Sequence, residues 1–400
     1  MALKRGAMTR VTMKVLVSSA LLWLALFMLN WGLKSRVAAS RSYSIGMTKT
    51  LADFPDVLAG LGAEAWLRQD VSAAIKLFRK TVGVDPLKGG AWLALAEAEK
   101  ANGNREDARK ILHYVHGLGK RTLRWTWLET LLALDLGAYP VVWENLNRMI
   151  YHQRHTSDAL QLADVLLAGE PESVGQRLDA RNLLAYTKWL IGWGRLDQAL
   201  AVREQMAQKG ILDSQTDAWL SARLLGQKRV SEALSLGESG DGPMTNPGFE
   251  ADFGHGPFDW RFSPKGSGWE IERVAGIASE GGHSLSVAFD GKVNASFAHL
   301  TRVVPVKPGV SYEFTFWWKG KGLSTDQGPF FEVYGHDVKG LYAKGPMLHG
   351  THDWEKASID FTTPKECHAV VIRLRRVPSR KLDNLIGGTV WIDNFGLVAD

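Results

Sequence analysis

The chain has 400 residues, with 48 Lys and Arg against 42 Asp and Glu for a formal net charge of +6, and 45% of it is hydrophobic. At roughly 100–200 residues per domain this length predicts two or three folded units, and a mild basic excess spread along the chain argues against nucleic acid as a partner. Cys367 is the single cysteine, which excludes an intramolecular disulfide framework, a CxxC redox pair and a multi-cysteine zinc site.

The first predicted element is apolar. The stretch from Val15 to Leu33, "VLVSSALLWLALFMLNWGL", carries no charge over its 19 residues, close to the ~20 that a bilayer-crossing helix needs. It predicts a transmembrane signal anchor, with 1–14 as a cytoplasmic tail and 34–54 as a juxtamembrane linker. The protein would then be single-pass, with its large C-terminal part periplasmic or extracellular. A cleaved signal peptide is the alternative, because Val37, Ala38 and Ala39 resemble a cleavage site. The length of the apolar run, and Lys34 and Arg36 between it and that site, speak against cleavage. Basic residues flank the run almost evenly, so charge alone does not set its orientation.

Residues 55–240 carry a helical pattern with an internal repeat. "DVSAAIKLFRKTVGVDP" and "NREDARKILHYVHGLG" align so that Ala74 falls on Ala108, and Ala199 and Ala233 recur at the same spacing of 34. Gly103, Gly137 and Gly194 mark turns between helices, and Pro86 ends a repeat. On these residues the stretch resembles the tetratricopeptide repeat family, five units with an irregular helical segment over 155–180. The resemblance implies an α-solenoid of stacked helix pairs whose groove holds a partner protein.

Residues 241–245 read as a linker, and from 246 to 400 the pattern becomes alternating. Leu285, Val287 and Phe289 alternate, as do Tyr312, Phe314, Phe316 and Trp318. Short strands between turns predict an antiparallel two-sheet β-sandwich. In chain order, "NPGFE", "HSLSVAF", "VPVKPGVSYEFTFWWKGKG", "DWEKASIDFTTP" and "GGTVWIDNFGL" resemble the jelly-roll carbohydrate-binding modules over 243–400. The resemblance implies sugar binding without catalysis and one structural Ca2+ held by Glu250 and Asp393. Those carboxylates could instead serve nearby backbone amides.

Alternation also selects candidate ligand residues. Were the strands of "SYEFTFWW", "PFFEVYG" and "AVVIRLRR" neighbours, one open face would carry Trp317, Tyr334, Glu332, Arg373 and Arg375. Flat rings stack on pyranose faces and charged forks bond hydroxyls, and two arginines favour acidic sugars. Packing of Trp317 under another element is the alternative. Trp260 and Trp269 are further candidate sugar contacts.

No GxSxG, HExxH, phosphate-loop or dinucleotide motif is present, and no organic cofactor is implied. The sequence therefore predicts a non-enzymatic, membrane-anchored adaptor, holding a polysaccharide on the sandwich and a protein in the solenoid, in cell-envelope or exopolysaccharide assembly or export. Two alternatives are a protein-assembly scaffold whose sandwich only docks, and a glycoside hydrolase using a pair such as Glu270 and Glu272.

Overall fold

The computed structural model describes residues 54–119, 123–168, 173–236, 244–254, 256–382 and 384–399. The apolar stretch 15–33 lies outside them. Among the described residues no helix is long and apolar enough to cross a membrane, and this overturns the expectation of a single-pass membrane protein.

Helices fill the first part. α1 (Pro55–Leu67) and α2 (Val71–Val84), α3 (Gly89–Ala101) and α4 (Arg105–Gly119), and α5 (Thr126–Leu136) and α6 (Tyr139–Tyr151) follow one another as hairpins. Local caps set two of these boundaries. Asp70 accepts the Ala73 amide at 2.9 Å and so caps α2, while Gly137 closes α5 at φ 75°, a conformation that suits glycine. The repeating alanines occupy the close contacts: Ala74, Ala108, Ala199 and Ala233 are all fully buried.

The predicted irregular segment contains a regular helix, α7 (Thr156–Leu166), with Ala159 and Ala163 buried on one side. The next helical element in the chain is a single turn, α8 (Val174–Arg177). Asn147 ties that turn down by donating to the Arg177 carbonyl and accepting from the Asp179 amide, both at 2.8 Å. α9 (Ala180–Gly192), α10 (Leu196–Gln208), α11 (Ser214–Gly226) and α12 (Val230–Leu236) resume the pairs. The chain divides into two compact units. One runs to Gly169 and includes Arg177–Asn182; the other comprises Glu170–Gln176 and Leu183–Asp400.

The strands are β1 (Lys265–Gly266), β2 (Trp269–Ala275), β3 (His283–Asp290), β4 (Phe297–Pro305), β5 (Ser311–Leu323), β6 (Phe330–Gly335), β7 (Tyr342–Lys344), β8 (Gly350–Thr362), β9 (Ala369–Arg376) and β10 (Gly387–Ala399). They form a six-stranded sheet, β1-β2-β3-β10-β5-β8, and a four-stranded sheet, β4-β9-β6-β7. Both are antiparallel, and their inner faces share one core that includes Phe297, Phe314, Phe316, Phe331 and Phe395. Phe316 meets Phe331 at 4.5 Å between ring centroids, joining the two sheets. Gly388 is required where β10 passes β5: at φ 106° a Cβ would lie 2.3 Å from the Gly322 carbonyl oxygen.

This topology corrects one expectation. β5 pairs with β10 and β8, whereas β6 pairs with β9 and β7. Trp317 therefore stands on the outer side of one sheet, and Tyr334, Glu332, Arg373 and Arg375 stand on the outer side of the other. Period-two alternation sets the side of a strand, and the chain changes sheets between β5 and β6.

Candidate carbohydrate-binding face

On the four-stranded sheet, Phe331, Val333, Val370, Ile372 and Leu374 point into the core and are fully buried. The alternate residues face outward. Glu332 lies across from Arg373 on one side and Lys344 on the other, Tyr334 lies between Val371 and Tyr342, and Phe330 pairs with Arg375.

Although Glu332 is on this outer side, it is only 1% exposed. A buried carboxylate is costly unless it is paired and hydrogen-bonded. Arg373 Nε donates to its Oε1 at 2.6 Å, Arg375 Nη1 reaches the same oxygen at 3.5 Å, and the Tyr342 hydroxyl donates to Oε2 at 3.1 Å. The Arg373 guanidinium lies over the Tyr334 ring at 4.9 Å, and Lys344 Nζ lies over Phe330 at 4.2 Å. Partial burial raises the Tyr342 hydroxyl pKa, and its bond to Glu332 adds to the shift.

Two guanidiniums thus engage one carboxylate, Lys344 stands opposite it in the neighbouring strand, and Tyr342 is 60% exposed beside them. The guanidinium donors not engaged by Glu332 can meet hydroxyl or carboxylate oxygens, and the ring offers a flat apolar surface. Tyr342 and Lys344 escaped the sequence reading because β7 is only three residues long. Their signal was alternation within "LYAKG".

The other candidate residues lie elsewhere. Trp317 is half-buried on β5, between Lys356 of β8 and Asp393 of β10. Trp260 is 5% exposed, packed at 4.7 Å from Phe395 with the Arg302 guanidinium over its ring at 5.8 Å, so it is a core residue and not a sugar contact. Trp269 is likewise 5% exposed. His299 stacks on it at 4.6 Å, and a side chain at Gly266 would sit 2.2 Å from the indole. It lines a cavity of ≈ 360 Å³ with Lys265, Ser267 and Ser296, buried rather than displayed as the sequence had suggested.

Glu250 and Asp393 both lie against Gly248, where a Cβ would be 3.9 Å from Glu250 Cγ and 3.5 Å from Asp393 Oδ1. Glu250 Oε1 accepts the Gly282 and His283 amides at 2.8 and 3.0 Å, and Oε2 meets His283 Nδ1 at 3.0 Å. Asp393 Oδ2 accepts from the Ser279 amide and hydroxyl and the Glu280 amide, and Oδ1 from the Asn394 amide. Calcium needs six to eight oxygen ligands. Both carboxylates here face N–H and O–H donors, an arrangement that does not fit the cation. Among the described residues no group of three or more His, Cys, Asp and Glu could hold a metal ion.

The glycosidase candidates Glu270 and Glu272 are exposed at successive outward positions of β2, on an open strand face rather than across a cleft.

No protein-family profile matches the chain. No curated protein matches it either. Among solved structures, a CBM4 module shares 13% identity over 39% of this chain and 99% of its own, with a TM-score of 0.28. A Clostridium thermocellum endo-1,4-beta-D-xylanase fragment of CBM22-1 and GH10 modules, complexed with xylohexaose, shares 16% identity over 40% of this chain and 29% of its own, at 0.27. YrrB, described as a TPR protein with an unusual peptide-binding site, shares 11% over 48% and 87%, at 0.24.

Proposed function

We propose that this chain is a non-enzymatic adaptor, which binds a polysaccharide on the outer face of the four-stranded sheet and a protein partner on its helix pairs. The observation that carries the first part is the buried Glu332 carboxylate. It holds Arg373, Arg375 and Tyr342 in fixed positions before any ligand arrives, and such preorganisation lowers the ordering cost of binding. The cationic excess favours sugars bearing carboxylates. The protein-binding part is supported by Trp193, which is 72% exposed, and by Trp219, which is 37% exposed beneath the Arg223 guanidinium. Trp, Tyr and Arg are the residues that dominate protein interfaces.

Affinity electrophoresis of the full chain through gels containing xylan, polygalacturonate or alginate tests the sugar face. Retention is expected in the acidic gels, weakened at least about tenfold by Tyr342→Ala or Arg375→Ala. Unchanged retention in folded variants overturns the assignment of this face. A wild-type chain that no gel retains points instead to a scaffold whose sandwich docks protein.

A further inference from the structure

The opposite side of the sandwich carries three tryptophans that strand order brings together. Trp391 lies between Val390 and Ile392, both fully buried, and so faces outward from β10. Trp317 faces outward between the buried Phe316 and Trp318. Glu355 pairs with the inward-facing Trp318, and Trp317 pairs with Lys356, so Trp354 shares the outward side of β8 with Lys356.

The ladder between β5 and β8 is irregular between Trp318 and Gly320, which sets Asp353 and Trp354 beside Lys319. Lys319 Nζ donates to Asp353 Oδ1 at 2.8 Å, and Trp391 pairs with Lys319 from the other strand. Trp354 and Trp391 thus flank Lys319 on strands about 10 Å apart, two inter-strand spacings. Trp317 stands one outward position along β5.

All three tryptophans are half-buried, so part of each remains open to solvent. The exposed cations Lys321, across from Thr389, and Lys356, across from Trp317, border them. Of the acidic residues of this face, Asp353 is paired with Lys319, and Asp393, across from Trp317, is fully buried and engaged by the Ser279, Glu280 and Asn394 amides. Glu313 and Asp360 oppose each other further along, and Glu270 and Glu272 lie on β2, two strands beyond β10.

We infer that this outer face of the six-stranded sheet is a second glycan-binding surface, for a uronic-acid polysaccharide. Its sugar rings stack on Trp317, Trp354 and Trp391, and its carboxylates meet Lys321 and Lys356. Aromatic rings supply contact area and fixed geometry, and the lysines supply charge complementarity. With a site on each outer side, one sandwich joins two polysaccharide chains. The joining rests on the reading of the four-stranded sheet, whereas the tryptophan surface stands without it.

Calorimetric titration of the full chain with hexagalacturonate tests both. Two ligands per chain are expected, falling to one in Trp354→Ala/Trp391→Ala and to one in Tyr342→Ala. One ligand per chain, lost with the tryptophans and indifferent to Tyr342→Ala, upholds the tryptophan surface and removes the other. Binding that the double tryptophan variant leaves unchanged overturns the inference, as does a wild-type chain that takes up no hexagalacturonate. If the double variant fails to fold, Lys321→Glu/Lys356→Glu replaces two exposed side chains and should weaken this site at least about tenfold. Unaltered affinity in that variant overturns the inference equally.

Discussion

Glu250 and Cys367 show how single side chains take their chemistry from their partners. The Glu250 carboxyl is held at about 2 instead of 4.5, first by the His283 side chain and then by the Gly282 and His283 amides. Between those values the unfolded chain binds more protons than the folded one. The stabilising clamp is therefore complete above the unfolded value and is lost as pH falls through about 2. Acidification from pH 4.5 to 2 should lower the melting temperature less in Glu250→Gln than in wild type; equal falls would remove Glu250 from the clamp. Because donors already occupy Glu250 and Asp393, calcium and chelator should give the same melting temperature, and a calcium-dependent rise would reverse the assignment. Cys367 is fully buried, and burial, then the Asp337 charge, pushes its thiol up to about 11. The thiolate is the reactive form, so the folded chain at pH 8 should resist alkylation, and the thiol should label only on unfolding.

At the scale of elements, helices and strands were legible to different depths. Ala74, Ala108, Ala199 and Ala233 announced their close contacts because each helix packs mainly on its sequence neighbours, so a period of 34 maps directly onto the stack. Ala108→Leu should test that contact, costing about 1–3 kcal/mol by overpacking. Strand faces were equally readable, as Phe314 and Phe316 on β5 and Val333 on β6 show. Sheet membership was not, because alternation says nothing about which strand lies next door. That is why Trp317 was grouped with Tyr334 and Arg373, on the far side of the core. Trp354 and Trp391 went unread for a related reason: their company depends on a register irregularity between β5 and β8 and on β10 entering between β3 and β5. Asp393 sat in a recognisable strand, yet only the fold reveals that the amides of 279 and 280 reach it.

For the whole molecule, two compact units predict more than one cooperative step. Scanning calorimetry should resolve two transitions, with Ala108→Leu lowering one and Gly388→Ala the other. The second substitution combines a strained φ with a backbone clash and should cost about 1–3 kcal/mol or more. A single transition moved by both variants would show the units to be thermodynamically fused. The position of β10 has one more consequence. It is the last strand in chain order among those described, yet it lies inside its sheet, between β3 and β5. Translation delivers the helix pairs first, and their local contacts let them fold as they emerge. The edges of β3 and β5 that face β10 stay open until residues 387–399 have emerged, so the six-stranded sheet closes only when this late strand is inserted.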